Sequence, residues 1–406
     1  MAAETPNVDV ENIARALKQV AEDGDKVMKN DSAARERLVA SARDLVLAAE
    51  TPMESLLWHI WALPTRTVAA RIAVDLKIFE TAVENGGSPK SNEDLAAATG
   101  ASPILVRRIS RACVSMGMLA EQGPDMFVPN SMTKLLATKE YAAGIIFCFD
   151  NPQLSFAKLP EYLRSTNFQN PENASDGPFQ YANNCPSAFT WLTQHPDVFE
   201  AFHGYVHALR QHRPSWTDMY PVQSRLVEGL KSDGDASVLV DIGGGTGQVL
   251  QDFQKDVPEY TGRLVLQEIP EVVAAATEKG VGADGRIELQ VHDFFTPQPI
   301  RGARAYFMRS VLHDWPDEQC RKILGHLKGA MEPGYSKILI SDCVVSDQQA
   351  AWQHVSLDLY MMAQVSSRER TEREWRALIV SSGLDVTGIY NEGDGNEGLI
   401  EVVRSI

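Results

Sequence analysis

The segment 305–320, AYFMRSVLHDWPDEQC, places a histidine directly after an apolar strand pattern. The strand leads to His313, and Pro316 stands where a following helix is expected to begin. His313 is therefore expected at the rim of a sheet, within reach of a ligand. An unperturbed imidazole has a pKa of about 6.5, which suits removal of a proton at neutral pH. We interpret His313 as a general base, and Asp314 is also suited to cap the helix.

A glycine-rich turn follows an apolar strand earlier in the chain. The strand Val238–Ile242 leads into Gly243–Gly247, and a helix pattern starts at Gln248. Glycines in such a turn let the backbone approach a ligand closely. The nicotinamide-dinucleotide fingerprint requires another glycine where Gln248 or Leu250 stands, and a P-loop requires Lys and Ser or Thr after the last glycine. The turn therefore indicates another kind of nucleoside cofactor.

Acidic residues end the next two strand patterns. Glu268 follows Leu264–Gln267, and an acid at this place can accept hydrogen bonds from both hydroxyls of a ribose. Asp293 follows Ile287–Val291 and is suited to accept from an adenine amino group, while Phe294 can lie against the ring. Together with Asp241 on the first strand, these acids favour a nucleoside site over unrelated surface turns.

The elements that must position these residues alternate between strand and helix. Short apolar strands are predicted at five places, with roughly 20–30 residues between most of them, which is typical of a parallel α/β sheet of the Rossmann-like kind. The predicted strands are Val238–Ile242, Leu264–Gln267, Ile287–Val291, Arg304–Met308 and Lys337–Ser341.

The N-terminal part has a different pattern. Helices are predicted over residues 8–50, and a long helix, Leu56–Phe79, carries too many apolar residues for an exposed surface. Two short helices and a hairpin over 91–128 predict a winged helix. That fold suits either DNA binding or dimerisation. With 38 Lys and Arg against 54 Asp and Glu, the net charge of −16 argues against nucleic-acid and anionic-membrane partners.

The predicted organisation has three parts: 1–137 as the helical arm and winged helix, 138–235 as a helical, aromatic-rich region that helps to line a substrate pocket, and 236–406 as the cofactor-binding domain. Five scattered cysteines without CxxC spacing fit a reduced compartment. We find no signal peptide, no membrane span and no cluster with metal-ligand spacing. A cytoplasmic protein without a metal is expected.

Three motifs together resemble a known family. They are Asp241–Gly247 (DIGGGTG), Leu312–Glu318 (LHDWPDE) and Arg368–Trp375 (RERTEREW). The chain is similar over roughly residues 35–404 to the class I S-adenosylmethionine-dependent small-molecule O-methyltransferases of the plant caffeate and flavonoid type, above all to their fungal secondary-metabolite relatives. In this family the winged helix is a dimerisation domain, so a homodimer is implied.

The resemblance implies a role for each matched residue. His313 is the general base, and Asp342 and Glu369 flank it, with aspartate at 342 where many plant members have glutamate. Arg309 stands near the cofactor. The implied cofactor-binding residues are Asp241, Gly243, Gly244, Gly245, Glu268, Asp293, Phe294 and Arg309, and the implied substrate-contacting residues are Asp314, Tyr360, Met361 and Met362.

The predicted function is transfer of the methyl group of S-adenosylmethionine to a phenol or another acidic hydroxyl, including an N-hydroxyl, of a small aromatic secondary metabolite. The expected mechanism is a direct SN2 step, which leaves S-adenosylhomocysteine. The alternative is a fungal relative that binds the same cofactor but catalyses a pericyclic or cyclisation reaction. In those proteins another residue, such as arginine, tends to replace the histidine, so His313 favours methyl transfer.

Overall fold

The computed structural model of this chain describes residues 9–211, 215–231, 237–260, 262–391 and 397–404. The chain divides into two compact units, Met1–Phe149 and Asp150–Ile406. The three-part division expected from the sequence stays a prediction.

The first unit is mostly helical and contains the predicted winged helix. Strand β3 lies between β1 and β2 and pairs antiparallel with both, so the hairpin expected over 119–128 is confirmed. Its elements are α1 (Val10–Val27), α2 (Ser32–Ala49), α3 (Pro52–Leu57), α4 (Leu63–Asp75), α5 (Ile78–Gly87), β1 (Lys90–Ser91), α6 (Asn92–Thr99), α7 (Pro103–Ser115), β2 (Ala120–Glu121), β3 (Met126–Val128), α8 (Ser131–Leu136) and α9 (Lys139–Asp150).

The single helix predicted over Leu56–Phe79 is wrong in two respects. The helical backbone runs from α3 through a π-helical turn (Trp58–Ala62) into α4, but it breaks before α5 because Lys77 adopts a left-handed conformation with φ of 54°. Its apolar side chains were also expected to be buried. Instead Trp58 and Trp61 are 42% and 66% exposed in this chain.

The second unit contains a mixed sheet in the order β10-β11-β8-β7-β4-β5-β6. The five predicted strands are confirmed and pair in parallel, whereas β10 and β11 form an antiparallel edge that the sequence analysis missed. The strands are β4 (Ser237–Ile242), β5 (Arg263–Glu268), β6 (Ile287–Val291), β7 (Ala305–Arg309), β8 (Lys337–Val345), β9 (Arg370–Thr371, paired with β8), β10 (Asp385–Asn391) and β11 (Glu397–Val403).

Helices cover this sheet on both faces. Val240 and Ile242 pack into one hydrophobic cluster and Leu239 into the other, which explains why the strands are apolar without alternation. The helices of the second unit are α10 (Gln153–Ser165), α11 (Pro178–Asn183), α12 (Ala188–Gln194), α13 (Pro196–Gln211), α14 (Trp216–Met219), α15 (Gln248–Asp256), α16 (Pro270–Glu278), α17 (Asp317–Ala330), α18 (Trp352–Val365) and α19 (Glu372–Ser381).

Candidate active site

The glycine turn between β4 and α15 has a conformation that only glycine adopts without strain. Gly243, Gly245 and Gly247 have φ values of 65°, 61° and 75°. Gly244 is restricted by space instead, because a Cβ there would lie 2.2 Å from Oδ2 of the buried Asp241. A side chain at position 243 or 244 would therefore press against neighbouring residues, and we call the turn Gly243–Gly247 the cradle.

The first strand-end acid, Glu268, lies beside this cradle, and the second, Asp293, follows the next strand, β6. Glu268 accepts hydrogen bonds from the backbone N–H of Gly245 (3.0 Å) and of Ile269 (2.9 Å). Burial raises the pKa of Glu268, and these two bonds oppose the rise. Asp293 is exposed and accepts from the N–H of Phe295 at 2.9 Å. Each carboxylate keeps lone pairs available for a ligand.

Aromatic and aliphatic side chains connect the glycine turn to the His313 turn. A Cβ on Gly243 would lie 3.8 Å from Phe294 and 3.0 Å from Val311, so both side chains border the cradle. Phe294 also packs edge-on against Trp315, with ring centroids 6.1 Å apart. The cradle, the acids and the half-buried Phe294 ring fit an adenosyl cofactor.

His313 lies in a 3₁₀ turn, Leu312–Asp314, after β7. Its Nδ1 is 2.8 Å from Glu369 Oε1 and donates its hydrogen to that carboxylate, so Nε2 is the nitrogen that can accept a proton whenever the ring is neutral. Asp314 Oδ1 lies 3.6 Å from Nε2, on the other side of the ring. The suggestion that Asp314 caps a helix is wrong, because α17 begins at Asp317 with Pro316 as its N-cap residue.

Charge around His313 moves its pKa far from the ordinary value assumed in the sequence analysis. Burial lowers the pKa, but the carboxylates of Asp314, Asp342 and Glu369 raise it more, to about 10. The imidazole side chain is only 13% exposed. In the ligand-free protein His313 is therefore protonated at neutral pH, and the assumption of an unperturbed pKa is wrong.

Asp342 influences His313 through charge alone. It lies on β8, is 1% exposed, and neither carboxylate oxygen has a hydrogen-bond partner within the described part of the chain. Burial raises its pKa to about 7, which the positive charge of His313 opposes. The short aspartate side chain thus leaves the imidazole bonded to Glu369 on Nδ1 only.

Helix α18 contacts the His313 turn, which carries the predicted substrate residue Asp314, and bears the other three predicted substrate residues. Met361 is buried, Met362 is half-buried, and Tyr360 packs edge-on against Phe156 with centroids 6.0 Å apart. Consecutive helical residues are about 100° apart around the axis, so these three side chains do not share one face. Their contact with a substrate stays a prediction.

Arg309 ends β7, and its guanidinium binds Glu397 of β11 at 2.8 Å. Its charge also lowers the pKa of Asp252 on α15, against the larger effect of burial. Its predicted place near a cofactor stays a prediction. Among the residues that the structure describes, no group of three or more His, Cys, Asp or Glu side chains is arranged to hold a metal ion.

Sequence reasoning missed the residues that hold the site together. Asp358 of α18 accepts the backbone N–H of Glu369 at 2.8 Å. The buried Arg370 forms an ion pair with the half-buried Asp317 next to His313. Arg370 and Asp317 belong to the motifs already singled out, so the signal was present, but a motif does not indicate which of its residues contact each other.

Two family models match this chain. The model described as an O-methyltransferase domain matches residues 224–385, and the model described as an O-methyltransferase dimerisation domain matches residues 65–139. The second match contains the whole of the winged helix predicted over 91–128.

Curated fungal proteins are similar over nearly the whole chain. The O-methyltransferase mpaG of Penicillium brevicompactum is 33% identical over 99% of this chain and 99% of its own length. The demethylsterigmatocystin 6-O-methyltransferase of Aspergillus flavus is 33% identical, with 93% and 94% covered.

Solved structures share the fold. OxaC in complex with sinefungin and meleagrin has a TM-score of 0.86 at 25% identity, covering 98% of this chain and all of that one. LepI in complex with S-adenosylmethionine has a TM-score of 0.85 at 28% identity, with 97% and 99% covered. A structure described as a pericyclic reaction enzyme matches with the same TM-score and identity, covering 98% and 100%.

Proposed function

This chain belongs to the S-adenosylmethionine-dependent O-methyltransferase family, and from that premise we propose that it methylates an acidic hydroxyl of a small aromatic secondary metabolite with His313 as the general base. The observation that carries the proposal is the bond between Nδ1 of His313 and Glu369 at 2.8 Å, which leaves Nε2 on the opposite side as the proton acceptor.

The cofactor-binding residues are part of the proposal. Gly243, Gly244 and Gly245 line the cradle for the methionine part, with Asp241 beneath them, and Glu268 accepts from the ribose hydroxyls. Asp293 and Phe294 hold the adenine. When bound, S-adenosylmethionine supplies a methyl group that its sulfonium has already activated. The remaining tasks of the protein are to align the acceptor oxygen, exclude water and take the proton.

The excess negative charge around His313 supports this assignment. Three carboxylates, Asp314, Asp342 and Glu369, surround one imidazole, so the site favours an additional positive charge. A cation nearby disfavours the imidazolium and lowers the pKa of His313 toward neutrality. The positive charge of the cofactor, when bound, would lower the pKa of His313 in this way, and the flanking acids Asp314, Asp342 and Glu369 stabilise the imidazolium that forms when the base takes a proton.

The test is an assay of S-adenosylhomocysteine release against a panel of phenols and N-hydroxy heteroaromatics, with mass spectrometry of the product. We expect one methylated product per S-adenosylhomocysteine released. The His313→Ala variant is expected to lose about 10²- to 10⁴-fold in kcat while it still binds S-adenosylhomocysteine. Full turnover by this variant at saturating acceptor disproves the base assignment.

A second candidate function is a pericyclic or cyclisation reaction without methyl transfer. The likeness to the pericyclic reaction enzyme favours it, whereas the His313–Glu369 pair favours methyl transfer. A product of unchanged mass, formed without S-adenosylhomocysteine, would establish this alternative.

We also propose that the protein is a homodimer formed through its first unit. An open groove of about 780 Å³ is lined by apolar side chains that include Val46, Leu57, Trp58 and Trp61. Covering exposed tryptophans stabilises an assembly by removing large apolar surfaces from water. Sedimentation analysis is expected to find a dimer, and Trp58→Ser with Trp61→Ser to weaken it. Val380→Ser, an exposed position on α19 in the second unit, is the control.

The absence of a nucleic-acid partner and a cytoplasmic location are proposals of the same kind. The net charge of −16 supports the first, and a gel-shift at physiological salt is expected to detect no binding. Fractionation of the producing cells tests the second. None of the described helices is long and apolar enough to cross a membrane.

A further inference from the structure

Arg370 is a buried arginine immediately after Glu369, and its side chain is fully shielded from solvent. Its guanidinium donates to two backbone carbonyls, of Leu312 at 3.2 Å and of Trp315 at 2.9 Å. These carbonyls stand on either side of His313 in the chain. A single side chain therefore holds both ends of the turn that carries the base.

The positive charge of Arg370 is balanced within the same cluster. Its Nε and Nη2 lie 3.0 and 2.8 Å from Oδ1 of Asp317, the first residue of α17. The guanidinium also lies 5.0 Å from the ring centroid of Trp375. A buried charge is tolerated when it is paired and hydrogen-bonded in this way.

A second donor, a thiol with a single proton, lies within reach of the same two carbonyls and donates to one of them at a time. The thiol of Cys320 is 3.2 Å from the Leu312 oxygen and 3.2 Å from the Trp315 oxygen. The turn thus receives hydrogen bonds from β9 through Arg370 and from α17 through Cys320. Loss of either donor leaves these buried carbonyls less well satisfied.

Glu369 and Arg370 bind the same turn by different groups. Consecutive residues of an extended segment point to opposite sides, so Glu369 reaches the imidazole of His313 while Arg370 reaches the backbone around it. We infer that Arg370 is a positioning residue that sets the distance and orientation between His313 and Glu369. This inference rests on the proposed role of His313 as the base.

Lysine cannot reproduce this arrangement. The planar guanidinium addresses two carbonyls and one carboxylate from a single rigid group, whereas an ammonium is a compact charge on a flexible stem. Arg370→Lys keeps the charge opposite Asp317 and so favours folding, but it loses the simultaneous contacts. This variant therefore tests the positioning role of Arg370 separately from its role in balancing charge.

The experiment compares Arg370→Lys with Arg368→Gln. Arg368 lies two residues away and also pairs with Asp317, but it is half-exposed and makes its other ion pair with Glu374 rather than with the turn. For each protein, kcat and the acceptor KM are measured, and NMR follows the imidazole titration of His313 without ligands. The signal is assigned by its absence in His313→Gln.

For Arg370→Lys we expect kcat to fall about 10- to 10²-fold with little change in KM, since small misplacements of catalytic groups have effects of this size. The titration midpoint of His313 is expected to move downward, because the imidazolium loses part of its contact with Glu369. Arg368→Gln is expected to match the native protein in both measurements.

A folded Arg370→Lys protein with native kcat and an unshifted His313 titration overturns the inference. If Arg370→Lys does not fold, Arg370→Gln decides, because its amide cannot donate to both carbonyls at once, and the loss of the positive charge would by itself move the titration of His313 upward. A downward shift supports positioning through the turn backbone, and an upward shift or a native titration contradicts it. The titration needs no turnover, so failure to detect methyl transfer refutes the proposed function without affecting this result.

Discussion

The glycine turn and the His313 turn follow adjacent strands, β4 and β7, yet their functional groups are assembled differently. In the glycine turn, the backbone makes the site, and its acid Glu268 is held by neighbouring N–H groups. In the His313 turn, side chains from 312–317, β8 and 369–370 make the site.

This difference predicts how each region fails. A ligand cradle made of backbone is sensitive to added atoms, whereas a base held by buried charges is sensitive to the loss of a partner. Substitutions in the first region are expected to change cofactor affinity, and those in the second to change kcat. A glycine-turn variant that changes kcat, or a His313-turn variant that changes cofactor affinity, would contradict this comparison.

The largest effect is expected for Glu369→Gln. A glutamine amide can donate to Nδ1, which stabilises the tautomer with hydrogen on Nε2 and leaves the base unable to accept a proton. We expect kcat to fall about 10²-fold or more while the Kd for S-adenosylhomocysteine stays within about twofold. Steady-state kinetics with calorimetry measures both quantities. An equal loss of affinity would mean that the two regions are not separable.

Gly244→Ala is expected to have the next largest effect. The added methyl would lie 2.2 Å from Asp241 Oδ2 and 2.6 Å from Leu266, so the turn must shift. Overpacking costs about 1–3 kcal/mol. If this cost falls entirely on the cofactor-bound form, it corresponds to roughly 5- to 150-fold weaker cofactor binding. Gly325→Ala on α17, where nothing lies within 4 Å, is the matched control. Native affinity in Gly244→Ala would contradict a tight cradle.

A loss of similar size is expected for Glu268→Gln. The amide group replaces a carboxylate that accepts two backbone N–H bonds and is proposed to accept from the ribose. Charged hydrogen bonds contribute about 1.5–3 kcal/mol, so the Kd for S-adenosylhomocysteine should rise at least tenfold. The His313 titration by NMR should stay unchanged. A shifted titration would show coupling between the two regions.

The last prediction is a pH dependence of stability, which tests the raised pKa of His313 directly. Since folding raises the pKa of His313 from 6.5 to about 10, its contribution is complete below about 6.5 and is lost as the pH rises toward about 10. The pKa of Asp342 is raised from 3.8 to about 7, so its contribution is lost as the pH rises toward about 7, below the range of this experiment. Denaturant unfolding from pH 7.5 to 10 should therefore give a decreasing free energy of unfolding, with a weaker slope in His313→Gln. Parallel slopes would contradict the raised pKa.

Much of the fold could be predicted because its signals are local. Residues 238–242 are apolar without alternation, which is typical of a strand buried on both faces, and the five parallel strands were found in this way. The antiparallel pair β10 and β11 escaped prediction because half-buried β10 has a mixed pattern. The break at Lys77 also escaped, since its left-handed conformation has no signal in a lysine.

The identities of the site residues were predictable, and their physical states were not. The sequence by itself determined that a glycine turn, strand-end acids and a histidine fall at strand ends, because chain order and periodicity place them there. Only the tertiary structure decided that Glu369 bonds His313, that Asp342 acts through charge alone, and that Arg370 holds the turn. These outcomes depend on burial, which sets the local dielectric, and on the distances between segments about 30 to 60 residues apart in the chain, which set the geometry of the contacts.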